Sequence, residues 1–198
     1  MGFLRRRPAG PRLSTPRLTL RPPEVDDYAA WARLRSDSEA FLRPWEPAWA
    51  RDHLTARAFR ERVYWAGRAI GEGRAFPLLL VREADGVIVG GATLDNIRRG
   101  PAMSATVGYW VGEAHARRGY MTEALTALRD HAFRDLGLSR LEAACLPENA
   151  PSRALLERVG FKYEGVAQSY LQIAGRWRTH VLYAALREDR RGRADATP

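Results

Sequence analysis

The stretch Ala116-Arg117-Arg118-Gly119-Tyr120-Met121-Thr122-Glu123 constrains this chain most, because a basic, glycine-bearing turn runs straight into an apolar-periodic segment. Met121, Leu125 and Leu128 recur at helical spacing, which places the turn at a helix N-terminus. The first N–H groups of a helix have no intrahelical partner, and the positive end of the helix dipole lies beside them. Arg117 and Arg118 add charge, and Gly119 allows the backbone to approach a ligand closely. Such a turn suits an anion, a phosphate above all.

Around the turn, the patterning predicts alternating strands and helices. A strand is expected over residues 16–21, then a helix over 25–36 with Val25, Tyr28, Ala29 and Ala32 on one face. A loop rich in proline and tryptophan follows, and a second helix fits 54–70 before Gly71 and Gly73. Residues 76–83 and 87–97 read as a hairpin around Ala84-Asp85-Gly86, and 105–111 as a strand leading to the basic turn. The helix after the turn ends at Gly137, with a strand expected over 140–146 and a helix over 152–159. A closing hairpin of 163–173 and 177–186 turns near Ala174-Gly175. Periodicity alone gives a mixed α/β domain over residues 15–187, between a basic arm at 1–14 that reads as flexible and a polar tail at 188–198.

A second segment carries more specific information. Asn149-Ala150-Pro151-Ser152-Arg153-Ala154-Leu155-Leu156-Glu157-Arg158-Val159-Gly160-Phe161 reads as a short helix bounded by Pro151 and Gly160. It matches Asn-x-x-Ser-x-x-Leu-x-Glu-x-x-Gly-Phe at every fixed position. Together with the basic turn it resembles the acetyl-coenzyme A site of the GNAT N-acetyltransferases. The family's pyrophosphate loop, Gln/Arg-x-x-Gly-x-Gly/Ala, keeps only its middle glycine here, with Ala116 and Met121 at the outer positions. The segments 41–47, 96–100 and 170–178 are similar to stretches of the RimJ/RimL branch, whose members acetylate the N-termini of ribosomal proteins. The resemblance implies a central, mostly antiparallel, splayed sheet flanked by helices.

Composition narrows the setting. A chain of 198 residues can bury a core without staples, and its one cysteine, Cys145, excludes an internal disulfide and fits a reducing cytosol. The basic N-terminus lacks the apolar stretch of a secretory signal, and no apolar run approaches the length of a membrane span, so a cytoplasmic location is expected. The 32 basic against 23 acidic residues, net +9, suggest an anionic partner: a polyphosphate cofactor, RNA or an acidic protein surface. Lys162 is the only lysine, so a general arginine bias accounts for the same charge without a partner. Arg5, Arg6, Arg7 and Arg12 concentrate in the arm, where ribosome or RNA contact is expected. The four histidines are scattered singly without metal-ligand spacing, and no metal is expected.

The resemblance assigns roles residue by residue. Arg117, Arg118, Gly119, Tyr120, Met121 and Thr122 would cradle the pyrophosphate of acetyl-CoA. The main chain of Tyr109, Trp110 and Val111 would pair with the pantetheine amides, and an N–H there would stabilise the oxyanion. Asn149 would contact the cosubstrate or order the strand-to-helix junction, and Ser152 would sit near the thiol sulfur or cap its helix. Glu142 is the candidate general base, on the same strand face as Ala144, where a related N-terminal acetyltransferase carries its basic glutamate. Asp95 and Glu113 stand behind it, and an acyl-cysteine route through Cys145 lacks a basic partner. Trp45 and Trp49 would wall the acceptor groove or pack their loop onto the domain.

A magnitude bears on the acceptor. At pH 7 an α-amine is roughly 10–15% neutral, whereas a lysine amine is neutral at roughly a few parts in ten thousand. A chain without an evident strong base therefore suits direct acetyl transfer to a protein N-terminus, a ribosomal protein by resemblance. The alternatives are a GNAT enzyme for a small-molecule amine (amino acid, polyamine or antibiotic) and a non-catalytic ribosome- or RNA-binding module.

Overall fold

The computed structural model describes residues 10–189. In chain order the elements are β1 (Leu13–Ser14), β2 (Leu18–Arg21), a 3-10 turn (Val25–Asp27), α1 (Tyr28–Asp37), α2 (Glu39–Leu42) and a 3-10 turn (Arg43–Trp45). They continue with α3 (Ala56–Gly71), β3 (Phe76–Arg82), β4 (Ile88–Arg98), β5 (Ser104–Val111), a 3-10 turn (Glu113–His115) and α4 (Tyr120–Arg134). The chain closes with β6 (Arg140–Cys145), α5 (Ala150–Arg158), β7 (Lys162–Ile173) and β8 (Arg176–Leu186).

All eight strands form one sheet in the order β1-β2-β3-β4-β5-β6-β8-β7. Each neighbouring pair is antiparallel except β5 and β6, which run parallel and pair only at Ser104/Arg140, Ala105/Leu141 and Thr106/Glu142. Beyond Thr106 the two strands part. This is the splay that the resemblance implied, and it sits where α4 crosses from β5 to β6, the long connection a parallel pair requires.

Alternation along the strands separates two faces. Ala105, Val107, Tyr109, Leu141, Ala143 and Cys145 pack with Ala124, Leu125 and Leu128 of α4 and Leu156 of α5 in the main core. Each fully buried leucine there contributes roughly 1.5–3 kcal/mol. The opposite face carries a smaller cluster of Trp31, Phe59, Leu79 and Ile88, with Trp110 packed against it, where α1 and α3 cover β3 and β4. Thr106, Gly108, Glu142 and Ala144 share that second face but lie beyond the cluster. Gly108 is exposed, and a Cβ built on it would meet nothing within 4 Å.

Several boundaries differ from the sequence expectation for local physical reasons. Leu13 and Ser14, expected in the arm, pair with Leu20 and Thr19, because Thr15 closes the turn to Leu18: its N–H donates to the Leu18 carbonyl and its hydroxyl accepts the Leu18 N–H. The strand expected from residue 16 accordingly starts at Leu18. Arg5, Arg6 and Arg7 lie outside the described residues. The expected helix over 25–36 begins as a 3-10 turn capped reciprocally by Glu24 and Asp27, and only then becomes α1. The proline- and tryptophan-rich loop contains α2 and a 3-10 turn, with Pro44 early in that turn, where a missing N–H costs nothing.

The bend of β5 away from β6 requires β4 to follow it closely. A Cβ on Gly90 would stand 2.4 Å from the Trp110 carbonyl oxygen, a backbone atom that cannot move aside. Gly90→Ala is therefore expected to lower stability by about 1–3 kcal/mol. Gly71→Ala, at a helical site with nothing within 4 Å, should be neutral or stabilising by up to about 1 kcal/mol. Urea unfolding of both variants checks the contrast, and an equal response of the two would contradict the tight β4–β5 approach.

Candidate active site

The cleft begins where β5 loses its neighbour. On the side facing β6, the main chain over residues 107–111 has no strand partner. Backbone N–H and C=O groups in such a position need hydrogen-bond partners from elsewhere, so an amide-containing ligand lying along Tyr109, Trp110 and Val111 would complete the ladder.

The basic turn lies at the C-terminal end of this cleft. Arg117 has φ 59° and Gly119 has φ 80°, so two left-handed residues fold the chain back immediately before α4, a backbone shape that can leave successive N–H groups turned to one side. Arg117 and Arg118 are exposed and, among the described residues, neither has an ion-pair partner. Tyr120 and Met121 are buried and anchor the turn in the main core, so their side chains hold the helix start rather than reach a ligand. A Cβ on Gly119 would meet only the mobile end of the Arg17 side chain, at 3.3 Å, so it is the left-handed backbone rather than lack of space that calls for glycine here. Burial, Arg82 and Arg118 hold His115 below its ordinary pKa, which leaves it neutral beside an electropositive loop.

Arg17, far from the turn in sequence, braces it. Its Nη1 donates to the Arg118 carbonyl at 3.0 Å and its Nε to Glu123 at 2.7 Å, while the guanidinium lies over the Tyr120 ring. Thr15 donates to the same Glu123 carboxylate at 2.5 Å. Nothing local in the sequence signals these partners.

On the core side of the cleft, the Tyr109 hydroxyl and Ser152 Oγ lie 2.7 Å apart, joining β5 to α5 across the splay. Burial raises the Tyr109 pKa strongly, so the phenol stays protonated at neutral pH. Asn149, not Ser152, caps α5: its side-chain oxygen accepts the Ser152 N–H at 3.1 Å. The Ser152 hydroxyl, not used for the cap, meets the Tyr109 hydroxyl and also hydrogen-bonds the Cys145 thiol. Cys145, buried below it, is also raised by burial, which disfavours the thiolate.

Glu142 lies on the opposite, open face. Its two oxygens accept from Arg98 Nη2 at 3.1 Å and Arg140 Nε at 2.8 Å, and Arg140 also pairs with Glu164. Trp49 is stacked rather than free: its ring covers the Arg35 guanidinium at 4.4 Å, and Trp110 covers the same group at 4.7 Å. Arg35 is 4% exposed and makes a bidentate pair with Glu46, which also accepts from Trp49 Nε1 at 2.8 Å. The Glu46 carbonyl accepts from Ala174 at the β7–β8 tip, so one buried ion pair ties α1, the tryptophan loop, the end of β5 and the closing hairpin. Trp45 remains 37% exposed. The sequence carried one signal for this cluster: Arg35 follows Trp31 by four residues and so shares the buried face of α1.

His53 stacks on Trp49 and lies 3.3 Å from Arg35 and 2.8 Å from Arg62. Burial first, then Arg62 and Arg35, push its pKa from 6.5 down to about 4. The folded state thus resists a proton that the unfolded chain accepts, so this contribution is full above pH 6.5 and is lost as pH falls toward about 4. Urea midpoints across that window should fall less steeply for His53→Gln than for the wild type. Parallel slopes would contradict the burial of a neutral ring against two guanidinium groups.

Comparison with known proteins agrees with this geometry. Residues 17–162 match the acetyltransferase (GNAT) domain family. The chain is 36% identical over 180 residues to the [ribosomal protein uS5]-alanine N-acetyltransferase of Escherichia coli K12, covering 90% of this chain and 92% of that protein. The structure of Mycobacterium smegmatis RimJ in complex with CoA-disulfide superposes with a TM-score of 0.82 at 35% identity, over 91% of this chain and 88% of that one. The ribosomal-protein-S5-alanine acetyltransferase of Vibrio fischeri gives 0.84 at 27% identity, over 90% and 98% of the two chains. With its splayed parallel pair, its left-handed glycine turn at the start of α4 and these matches, the chain belongs to the GNAT acetyltransferase family.

Proposed function

We propose that this chain transfers the acetyl group of acetyl-CoA to the α-amine of a ribosomal protein that begins with alanine. The observation that carries the reading is the parting of β5 from β6 beside the free N-terminus of α4, a cleft with amide partners along one wall and an anion turn at its end. Similarity to the uS5-alanine enzyme supports the acceptor.

Acetyl-CoA brings the acetyl group as a thioester already activated toward an amine. Main-chain N–H groups over residues 117–122 bind the pyrophosphate, with Arg117 and Arg118 adding charge. The β6-facing main chain of Tyr109, Trp110 and Val111 binds the pantetheine amides, and a fixed N–H there donates to the oxygen that gains charge. Asn149 orders the junction into α5; as the C–N bond forms and the thioester C–S bond breaks, Ser152 with the protonated Tyr109 phenol supplies a proton to the departing thiolate of CoA. Glu142, on the acceptor side, accepts the proton that the amine releases, directly or through water. Trp45 and the loop held by Trp49 wall the acceptor entrance.

Gly119→Glu places a side chain and a negative charge in the anion turn, so it should abolish acetyl-CoA binding in a calorimetric titration while the fold is retained. Equal affinity of the two proteins would remove the cradle assignment. Glu142→Gln should lower kcat on an alanine-initiated peptide by about 10² with little change in acetyl-CoA affinity. An unchanged rate between pH 6 and 9 would assign the proton to water. The function itself is tested by mass spectrometry of ribosomal proteins from cells with and without the gene. One unacetylated alanine N-terminus in the deletion is the expected result, and identical acetylation in both contradicts it.

A further inference from the structure

A cavity of about 510 Å³ opens on the face of the sheet turned away from α4 and α5, lined by Thr106 and Glu142 together with Asp95, Arg98, Arg74 and Tyr170. Its volume lies within the range of small-ligand sites. It adjoins the last paired residues of β5 and β6, immediately before the splay.

The charges that line it are not equivalent. Arg98 and Glu142 are paired with each other, Glu142 also with Arg140, and Arg74 is paired with Glu72. Asp95 stands apart: among the described residues it has no ion-pair partner. One of its oxygens, Oδ1, accepts the Asn96 N–H at 2.8 Å. Oδ2 accepts from no donor among the described residues.

The backbone under Asp95 is fixed in an unusual shape. Asn96 has φ 49°, and the β4–β5 register shifts between Asp95 and Arg98, which makes a bulge. Bulges re-aim side chains and recur beside functional sites. This one is pinned twice: Asn96 Nδ2 donates to Thr106 Oγ1 at 3.2 Å, and that hydroxyl donates to the Asp95 carbonyl at 3.1 Å. Asparagine is one of the few residues besides glycine that takes the left-handed conformation, and these two hydrogen bonds hold it there, with the Asp95 carboxylate lining the cavity.

Position then limits what that carboxylate can read. Asp95 is the register partner of Thr106, three residues before Tyr109 on β5, or about 10 Å at roughly 3.3 Å per residue. An extended acceptor whose α-amine reacts beside Tyr109 brings its third or fourth residue to Asp95. We propose that Asp95 is a specificity residue that selects acceptor chains carrying a lysine or arginine at that third or fourth position.

This inference rests on the acetyl-transfer reading above, and the test separates the two. Three hexapeptides, Ala-Ser-Arg-Arg-Gly-Phe and its Gln-Gln and Glu-Glu counterparts, are assayed with the wild type, Asp95→Asn and Asp95→Lys. The wild type should favour Arg-Arg over Glu-Glu by about tenfold or more in kcat/KM, with the difference in KM rather than kcat. Asp95→Asn keeps an oxygen for the Asn96 N–H and should bring the ratio to within about threefold. Asp95→Lys should invert it. A ratio that survives Asp95→Asn, or a wild type that turns over all three peptides equally, overturns the proposal while leaving the transferase reading intact. A wild type that acetylates none of the three overturns both.

Discussion

Beyond Thr106, the parallel strands β5 and β6 part without a single further ladder pair, and the architecture of the cleft follows from that constraint. Parallel neighbours need a long crossover, here α4, whose basic turn follows the C-terminal end of β5 and whose Leu125 and Leu128 seal the core face. Ligands of open sheets gather at the carboxyl ends of parallel strands, where crossover helices begin. The parted strands leave polar backbone that a pantetheine-like chain of amides can satisfy, and Gly90 allows β4 to follow β5 through the bend.

A second constraint sits on the other side of the sheet. The guanidinium of Arg35 is buried between two indole rings and neutralised by Glu46. Taking two charges out of water is costly, so such a pair is weak evidence of net stabilisation, yet removal of one partner typically costs about 3–5 kcal/mol. Its consequence here is registration: the pair fixes the tryptophan loop against Trp110 and the β7–β8 tip, so these segments are held to the end of β5. Tyr109 and Trp110, adjacent on β5, face opposite sides of the sheet and link these two halves.

Much of this was legible in the sequence. The elements from α3 to β8 follow periodicity and turn residues closely, since Gly71, Gly86, Gly137 and the Ala174-Gly175 pair punctuate them. The basic turn at the start of α4 was readable because its glycine, its arginines and the helix that follows are contiguous in sequence. What could not be read depends on residues brought together by the fold. Arg17 braces a turn about a hundred positions away, Ser152 meets Tyr109 across two elements, and Trp49 is recruited by a guanidinium on α1. Thr15 extends the sheet into what reads as a flexible arm, because a side-chain hydrogen bond outweighs a composition rich in proline and arginine. The αL conformation of Asn96 has no glycine to announce it, although asparagine is the residue that most readily takes its place.

The most direct measurement uses one peptide that begins with alanine and carries an internal lysine, incubated with the purified protein and acetyl-CoA and sequenced by tandem mass spectrometry. A single acetyl group on the α-nitrogen, formed by the wild type and lost with Tyr109→Phe combined with Ser152→Ala, is the result predicted by a cleft that works through backbone binding and a two-hydroxyl proton source. Acetylation of the lysine side chain, or full activity in the double variant, would contradict it.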